Sequence, residues 1–137
     1  MICDKQTFTE LHHELPPIAQ ISGRGLQSVE PERFAKMSRR EQLEQMLAAD
    51  PEDVFLQYAV AMAYSSEGNE ATCLRRLDTL IENSPDYVAA YFQSGQLLAG
   101  AERTDEAQSI LQRGIAVAKR VGDQHAESEM LGFLETL

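Results

Sequence analysis

Three things are scarce in this chain, and each scarcity narrows what it can do. Basic residues come first: 12 Lys and Arg stand against 22 Asp and Glu, a formal net charge of −10. Affinity for phosphate backbones draws on clustered Lys and Arg, so nucleic acid is not an expected partner. An anionic membrane surface is disfavoured on the same ground, while a basic or neutral protein surface is compatible. Long apolar runs come second. No stretch approaches the ~20 apolar residues of a membrane-spanning helix. In residues 1–25, Asp4, Glu10 and Glu14 interrupt any apolar region and Pro16-Pro17 breaks a helix, unlike a signal peptide. The expected location is the cytoplasm. Cysteine comes third. Cys3 and Cys73 have neither a metal nor a redox spacing. Cys73 reads as a small buried apolar residue rather than a reactive thiol, although Arg75 and Arg76 are near in sequence.

Chemistry-bearing patterns are missing too. No nucleophile–base pair, glycine-rich phosphate loop or pair of carboxylates in a cleft can be argued. His12-His13-Glu14 has no distant third ligand, and a metal site needs three or four converging ones. His125 reads as a surface residue at the start of a helix. The expectation is therefore no enzyme, no metal and no cofactor, with the acidic residues serving as solvated helix faces.

What is present is helix. Residues 1–30 hold Pro16-Pro17, Gly23 and Gly25 without a sustained period. They are expected to form a poorly ordered extension ahead of a helical domain over 31–137. Pro31 can open a helix. Ser38-Arg39-Arg40-Glu41 is a capping box leading into the stripe Leu43, Met46 and Leu47. Met37 directly precedes that box and is expected to be the natural initiator, with 1–36 an upstream extension of the reading frame. An N-terminal peptide from the native protein mapping before Met37 would overturn this. Helices are then expected over about 52–66, 70–83, 86–100, 104–121 and 124–136. Thr104 and Asp123 are the expected caps, and Gly122 the left-handed terminator. Short loops make successive helices antiparallel neighbours.

The helices repeat. Pro51 and Pro85 are 34 positions apart, as are Val54 and Val88, Ala61 and Gly95, Cys73 and Ala107, Leu77 and Leu111, and Ile81 and Ile115. A period in the thirties with two helices per unit signals an all-α helical solenoid. Gly in a helix interior costs roughly 1 kcal/mol against Ala, so Gly95 argues for a close helix–helix approach. Ala61 is expected to face Cys73, and Gly95 to face Ala107. With only two full units, the flanking helices must complete the core. Leu43, Met46 and Leu47 serve the first hairpin; Met130, Leu131, Phe133 and Leu134 serve the second. A second copy covering an exposed end, giving a homodimer, is the alternative.

Over about 51–118 the chain resembles the tetratricopeptide repeat family. Val60, Ala61, Tyr64, Leu77 and Pro85 match its pattern in the first unit, with Cys73 where Ala is preferred. Tyr91, Gly95, Leu98, Ala107 and Leu111 match in the second. Gln57 departs from a preferred aromatic, Ser94 from an aliphatic residue, and Lys119 from the closing Pro, so the fourth helix is expected to run long. The resemblance implies a concave surface lined by the first helix of each unit. Position by position, that surface carries Phe55, Tyr58, Met62 and Ser65, then Ala89, Phe92, Gln93 and Gln96, then Asp123 and Glu127. The expected partner-binding residues are Phe55, Tyr58, Met62, Phe92, Gln93, Gln96 and Glu127. The competing reading is that Tyr58, Met62 and Phe92 pack against the neighbouring helix. The Lys, Arg and Asn with which some repeat members grip a C-terminal carboxylate are absent here. The expected function is that of an adaptor holding a partner protein or peptide by apolar anchors. The alternatives are a chaperone-like shield for a client's apolar segment and a self-associating structural subunit.

Overall fold

A computed structural model of the chain describes residues 30–137, all of whose regular elements are helices. The reading of 1–30 as a poorly ordered extension lies almost wholly outside the described residues. Two compact units divide at Asp53 and Val54.

In the first unit, α1 (Pro31–Lys36) opens on Pro31. α2 (Arg39–Ala49) follows through the expected capping box. Glu41 N–H donates to Ser38 Oγ at 3.1 Å, and Ser38 N–H donates to Glu41 Oε1 at 2.9 Å. Each bond satisfies a donor that the helix start leaves orphaned. The Gln42 side chain ties the two helices by donating to the carbonyls of Phe34 (3.0 Å) and Met37 (3.2 Å). Leu43 is buried, whereas Met46 is exposed.

The second unit holds both repeats: α3 (Val54–Ser66), α4 (Glu70–Asn83), α5 (Val88–Gly100), α6 (Thr104–Val121) and α7 (Gln124–Glu135). Each helix packs against its successor in chain order, the succession of antiparallel hairpins that the short loops predict. α6 shows why it packs as it does. Ala107, Ile110, Leu111, Gly114, Ile115, Val117 and Ala118 form one buried stripe at helical spacing. With Leu77, Leu80, Tyr91 and Met130 it makes a continuous core, and each large side chain so buried contributes about 1.5–3 kcal/mol.

Three helix ends share one terminator. Gly68 (φ 85°), Glu102 (φ 63°) and Gly122 (φ 83°) are left-handed. The residue after each donates its N–H back into the helix: Asn69 to Tyr64, Arg103 to Leu98 and Asp123 to Ala118, all at 2.9 Å. This is the Schellman geometry, in which a left-handed residue lets the chain turn back and pair orphan carbonyls. Gly122 and the Asp123 cap match the expectation, with Ala126 N–H donating to Asp123 Oδ1 at 3.0 Å. Thr104 does not. It is the first residue of α6, the cap position is Arg103, and no side chain caps it. The Arg103 guanidinium instead forks onto the Glu106 carboxylate at 2.6 and 2.8 Å. The absence of a closing Pro lets α6 run 18 residues, against 14 for α4.

Other expectations also needed correction. Gly95 does admit a close approach, and the atoms nearest it belong to Leu111, a turn beyond Ala107: a Cβ on Gly95 would lie 2.6 Å from Leu111 Cγ. In α7, Met130 is fully buried and Phe133 and Leu134 pack on the core, but Leu131 is exposed. One residue on from Met130 is about 100° around a helix with 3.6 residues per turn, which turns Leu131 outward.

Candidate partner-binding surface

The residues that the repeat pattern assigns to binding fall on three helices of the second unit. Helix α3 contributes Phe55, Tyr58 and Met62, whose spacing keeps them on one face. Phe55 is 65% exposed, far more than any other large apolar side chain among the described residues. Tyr58 and Met62 are half-buried and pack on the core. Helix α5 contributes Phe92 and Gln93, both half-buried, and Gln96, which is exposed. Helix α7 contributes Glu127, also half-buried.

The structure brings some of these together. The Tyr58 phenol lies beside the Gln93 side chain, whose polar group favours the ionised phenol, so α3 and α5 meet here. Burial raises the Tyr58 pKa, the charge of an ionised Tyr87 or Cys73 would raise it further, and the Gln93 side chain opposes them. The ring of Tyr58 also packs on Tyr87, with centroids 5.4 Å apart and planes inclined at 57°. Phe92 stands edge-on to Phe133 of α7 at 6.1 Å and 76°. Both are favoured aromatic geometries, each contributing about 0.5–1.5 kcal/mol beyond area burial. Glu127 takes a different role from the free acidic end that position alone suggested. Its carboxylate faces Lys119 Nζ at 3.8 Å.

α7 explains that difference. A third in-phase repeat would bury His125, Ser128, Glu129 and Gly132, the positions 34 beyond Tyr91, Ser94, Gly95 and Leu98. All four are exposed, and the inward side carries Ala126, Met130, Phe133 and Leu134. α7 is therefore a closing helix set out of phase with the repeats, after an α6 one turn longer than α4.

Sequence reasoning missed Tyr87 and Lys119. Tyr87 occupies the position preceding α5, 34 beyond Asp53, so no repeat of residue class marks it. Lys119 was read only as a missing Pro. Gly114 was missed as well. A Cβ there would lie 2.6 Å from Tyr91 Cβ and 2.7 Å from Met130 Sδ, so this glycine is where α5, α6 and α7 meet.

The residues weighed for chemistry have unlike surroundings. Cys73 is fully buried, and its thiol is pushed up to about 11 by burial and then by the Glu70 charge. His125 is exposed beside Glu129, at 3.3 Å. Among the described residues no three His, Cys, Asp or Glu side chains converge on a metal position. His12, His13 and Glu14 lie outside them. No described helix is long and apolar enough to cross a membrane.

Two helical hairpins of period 34, closed by a further helix, define an α-solenoid. No protein-family model matches the chain. A TPR repeat-containing protein of Pseudomonas aeruginosa is 30% identical over 97 residues, covering 71% of this chain and 92% of the relative. The solution structure of a tetratricopeptide repeat domain protein from Salinibacter ruber superposes with a TM-score of 0.61 at 36% identity. It covers 64% of this chain and 88% of that one. A solution structure of a Bordetella parapertussis protein gives a TM-score of 0.65 at 26% identity, covering 73% and 87%. The chain belongs to the tetratricopeptide repeat family, whose fold is in general a protein–protein interaction module.

Proposed function

We propose that the chain is an adaptor that holds a segment of a partner protein in the groove between α3 and α5, without catalysis. The observation that carries this reading is Phe55. A phenylalanine 65% exposed on a folded helix leaves apolar area in water that a partner can cover. Tyr58 lies on the same face of α3, close to the Gln93 side chain of α5, and Gln96 is open to solvent on α5. An aromatic anchor flanked by amide and phenol groups suits a peptide that inserts an apolar side chain and hydrogen-bonds its backbone alongside. The acidic balance of the chain favours a basic or neutral segment. Tyr58 and Phe92 have a double role in this reading, since their rings also hold helices together.

The test uses Phe55→Ala and Gln96→Lys, which change exposed side chains and should leave helicity unaltered by circular dichroism. A partner captured by the wild-type chain is purified and its binding measured by calorimetry. Loss of about tenfold or more in affinity with Phe55→Ala is expected for an anchor residue. Undiminished affinity in both variants would remove the α3–α5 face from consideration.

A further inference from the structure

On the other side of the hairpins, α4 and α6 are separated by a cleft of about 460 Å³. Leu74, Leu98 and Ile110 line its apolar part, and three arginines, Arg75, Arg103 and Arg113, reach it. The chain has only 12 cationic side chains in a net charge of −10, so three arginines in one concavity form a local reversal of sign. Arg103 is engaged by Glu106 through both carboxylate oxygens. Among the described residues the other two have no carboxylate in contact. Arg75 donates to Thr72 Oγ1, at 3.0 Å. Arg113 lies over the Tyr91 ring, 5.7 Å from its centroid, and interacts with Asp78 only at longer range. With Asp78 and Glu106 counted against the three arginines, the cleft carries a net charge of +1.

We propose that this cleft binds an acidic side chain, Asp or Glu, carried within an apolar segment of a partner protein. Guanidinium groups without a carboxylate partner beside an apolar floor recognise a carboxylate with apolar neighbours. A bare inorganic anion would gain nothing from Leu74, Leu98 and Ile110. On α4 the cleft runs from Ala71 to Asp78, about 10 Å at 1.5 Å per residue, the reach of about three extended residues. Arg75 stands midway along this wall, so a carboxylate that meets it has chain on either side. The site does not depend on the α3–α5 groove, and a partner could engage both.

The test is a titration of the isotope-labelled full chain with a capped Leu-Glu-Leu tripeptide and with its Leu-Gln-Leu counterpart, followed by amide chemical shifts. The expected result is saturable shifts at Arg75, Ser109, Ile110 and Arg113 with the glutamate peptide and about tenfold weaker binding of the glutamine peptide, as for the loss of one charged hydrogen bond. Arg75→Gln should abolish the preference without touching the core. Arg113→Gln should do the same, with Arg75→Gln as the control against any disturbance of Tyr91. Equal response to both peptides, or shifts confined to α3 and α5, would overturn the proposal. Shifts at the cleft that grow with protein concentration alone would overturn it in favour of a second copy as the occupant.

Discussion

The two repeats have the same plan and are filled differently. At the hairpin turn the first has Gly68 and Asn69, a left-handed glycine followed by a side-chain cap on Thr72 N–H at 3.2 Å. The second has Glu102 and Arg103 at the same positions, a non-glycine residue at φ 63° and no side-chain cap. At the matching positions the first has half-buried Gln57 on α3 and buried Leu80 on α4. The second has Tyr91 on α5 and Gly114 on α6, so bulk has moved from one helix of the hairpin to the other. Tyr91 is 2% exposed and Leu80 1%. The bulky side chain sits on opposite helices of the two hairpins, a redistribution that a close-packed core tolerates when a neighbour fills the space left. The exchange also has a consequence for the closing helix. Gly114 leaves the space that Met130 of α7 occupies, and a leucine there would exclude it.

Substitutions in the second repeat test this comparison, two of them, Tyr91→Gln and Glu102→Gly, to the residue that the first repeat carries. The largest effect is expected from Tyr91→Gln. Tyr91 fills the centre of the second hairpin and donates its hydroxyl to the Pro85 carbonyl at 2.7 Å. Losing a buried aromatic costs about 3–5 kcal/mol, to be read from urea unfolding followed by circular dichroism. Gly114→Ala comes next. Tyr91 Cβ cannot swing away as Met130 Sδ can, so overpacking of about 1–3 kcal/mol should outweigh the gain of about 1 kcal/mol in helix propensity. Met130→Ala in the same background should not restore stability, because the cavity left by a fully buried methionine costs about 2–5 kcal/mol.

Two exchanges should stabilise. The Ser94 hydroxyl is buried to 1% exposure and has no hydrogen-bond partner among the described residues, whereas the first repeat has Val60 there. Ser94→Ala should add about 1 kcal/mol by removing an unsatisfied buried group. Unchanged or lower stability would mean that the hydroxyl is satisfied in solution. The smallest effect is expected from Glu102→Gly, which relieves a left-handed non-glycine residue costing about 1–2 kcal/mol but loosens the unfolded chain by about 0.4–1 kcal/mol. A net gain below about 1 kcal/mol should appear as a small rise in Tm.

How much of this was legible beforehand follows the range of the interactions. The helix boundaries, the capping box at Ser38, the Gly122–Asp123 junction and the long α6 could be read, because each depends on residues within one or two turns of one another. Thr104 was misassigned as a cap because Arg103, with no capping side chain, gives no local signal that it holds that position. Among the surface residues, Phe55 and Gln96 are exposed as the repeat pattern implies. The pairing of Tyr58 with Tyr87 and Gln93, of Phe92 with Phe133 and of Glu127 with Lys119 was not legible. Those contacts join helices whose relative rotation no single helix encodes.

The amino-acid order by itself determined the period of 34, the antiparallel hairpins and the family, because helix formation, turn chemistry and apolar spacing are local properties. Only the tertiary structure decided that α7 closes the array out of phase, that Gly114 marks the point where three helices meet, and that Arg75 and Arg113 share a cleft with no carboxylate of the described residues in contact. Those outcomes depend on how side chains from different helices divide a fixed volume and a limited set of charge partners, and that division is settled only when the helices are packed together.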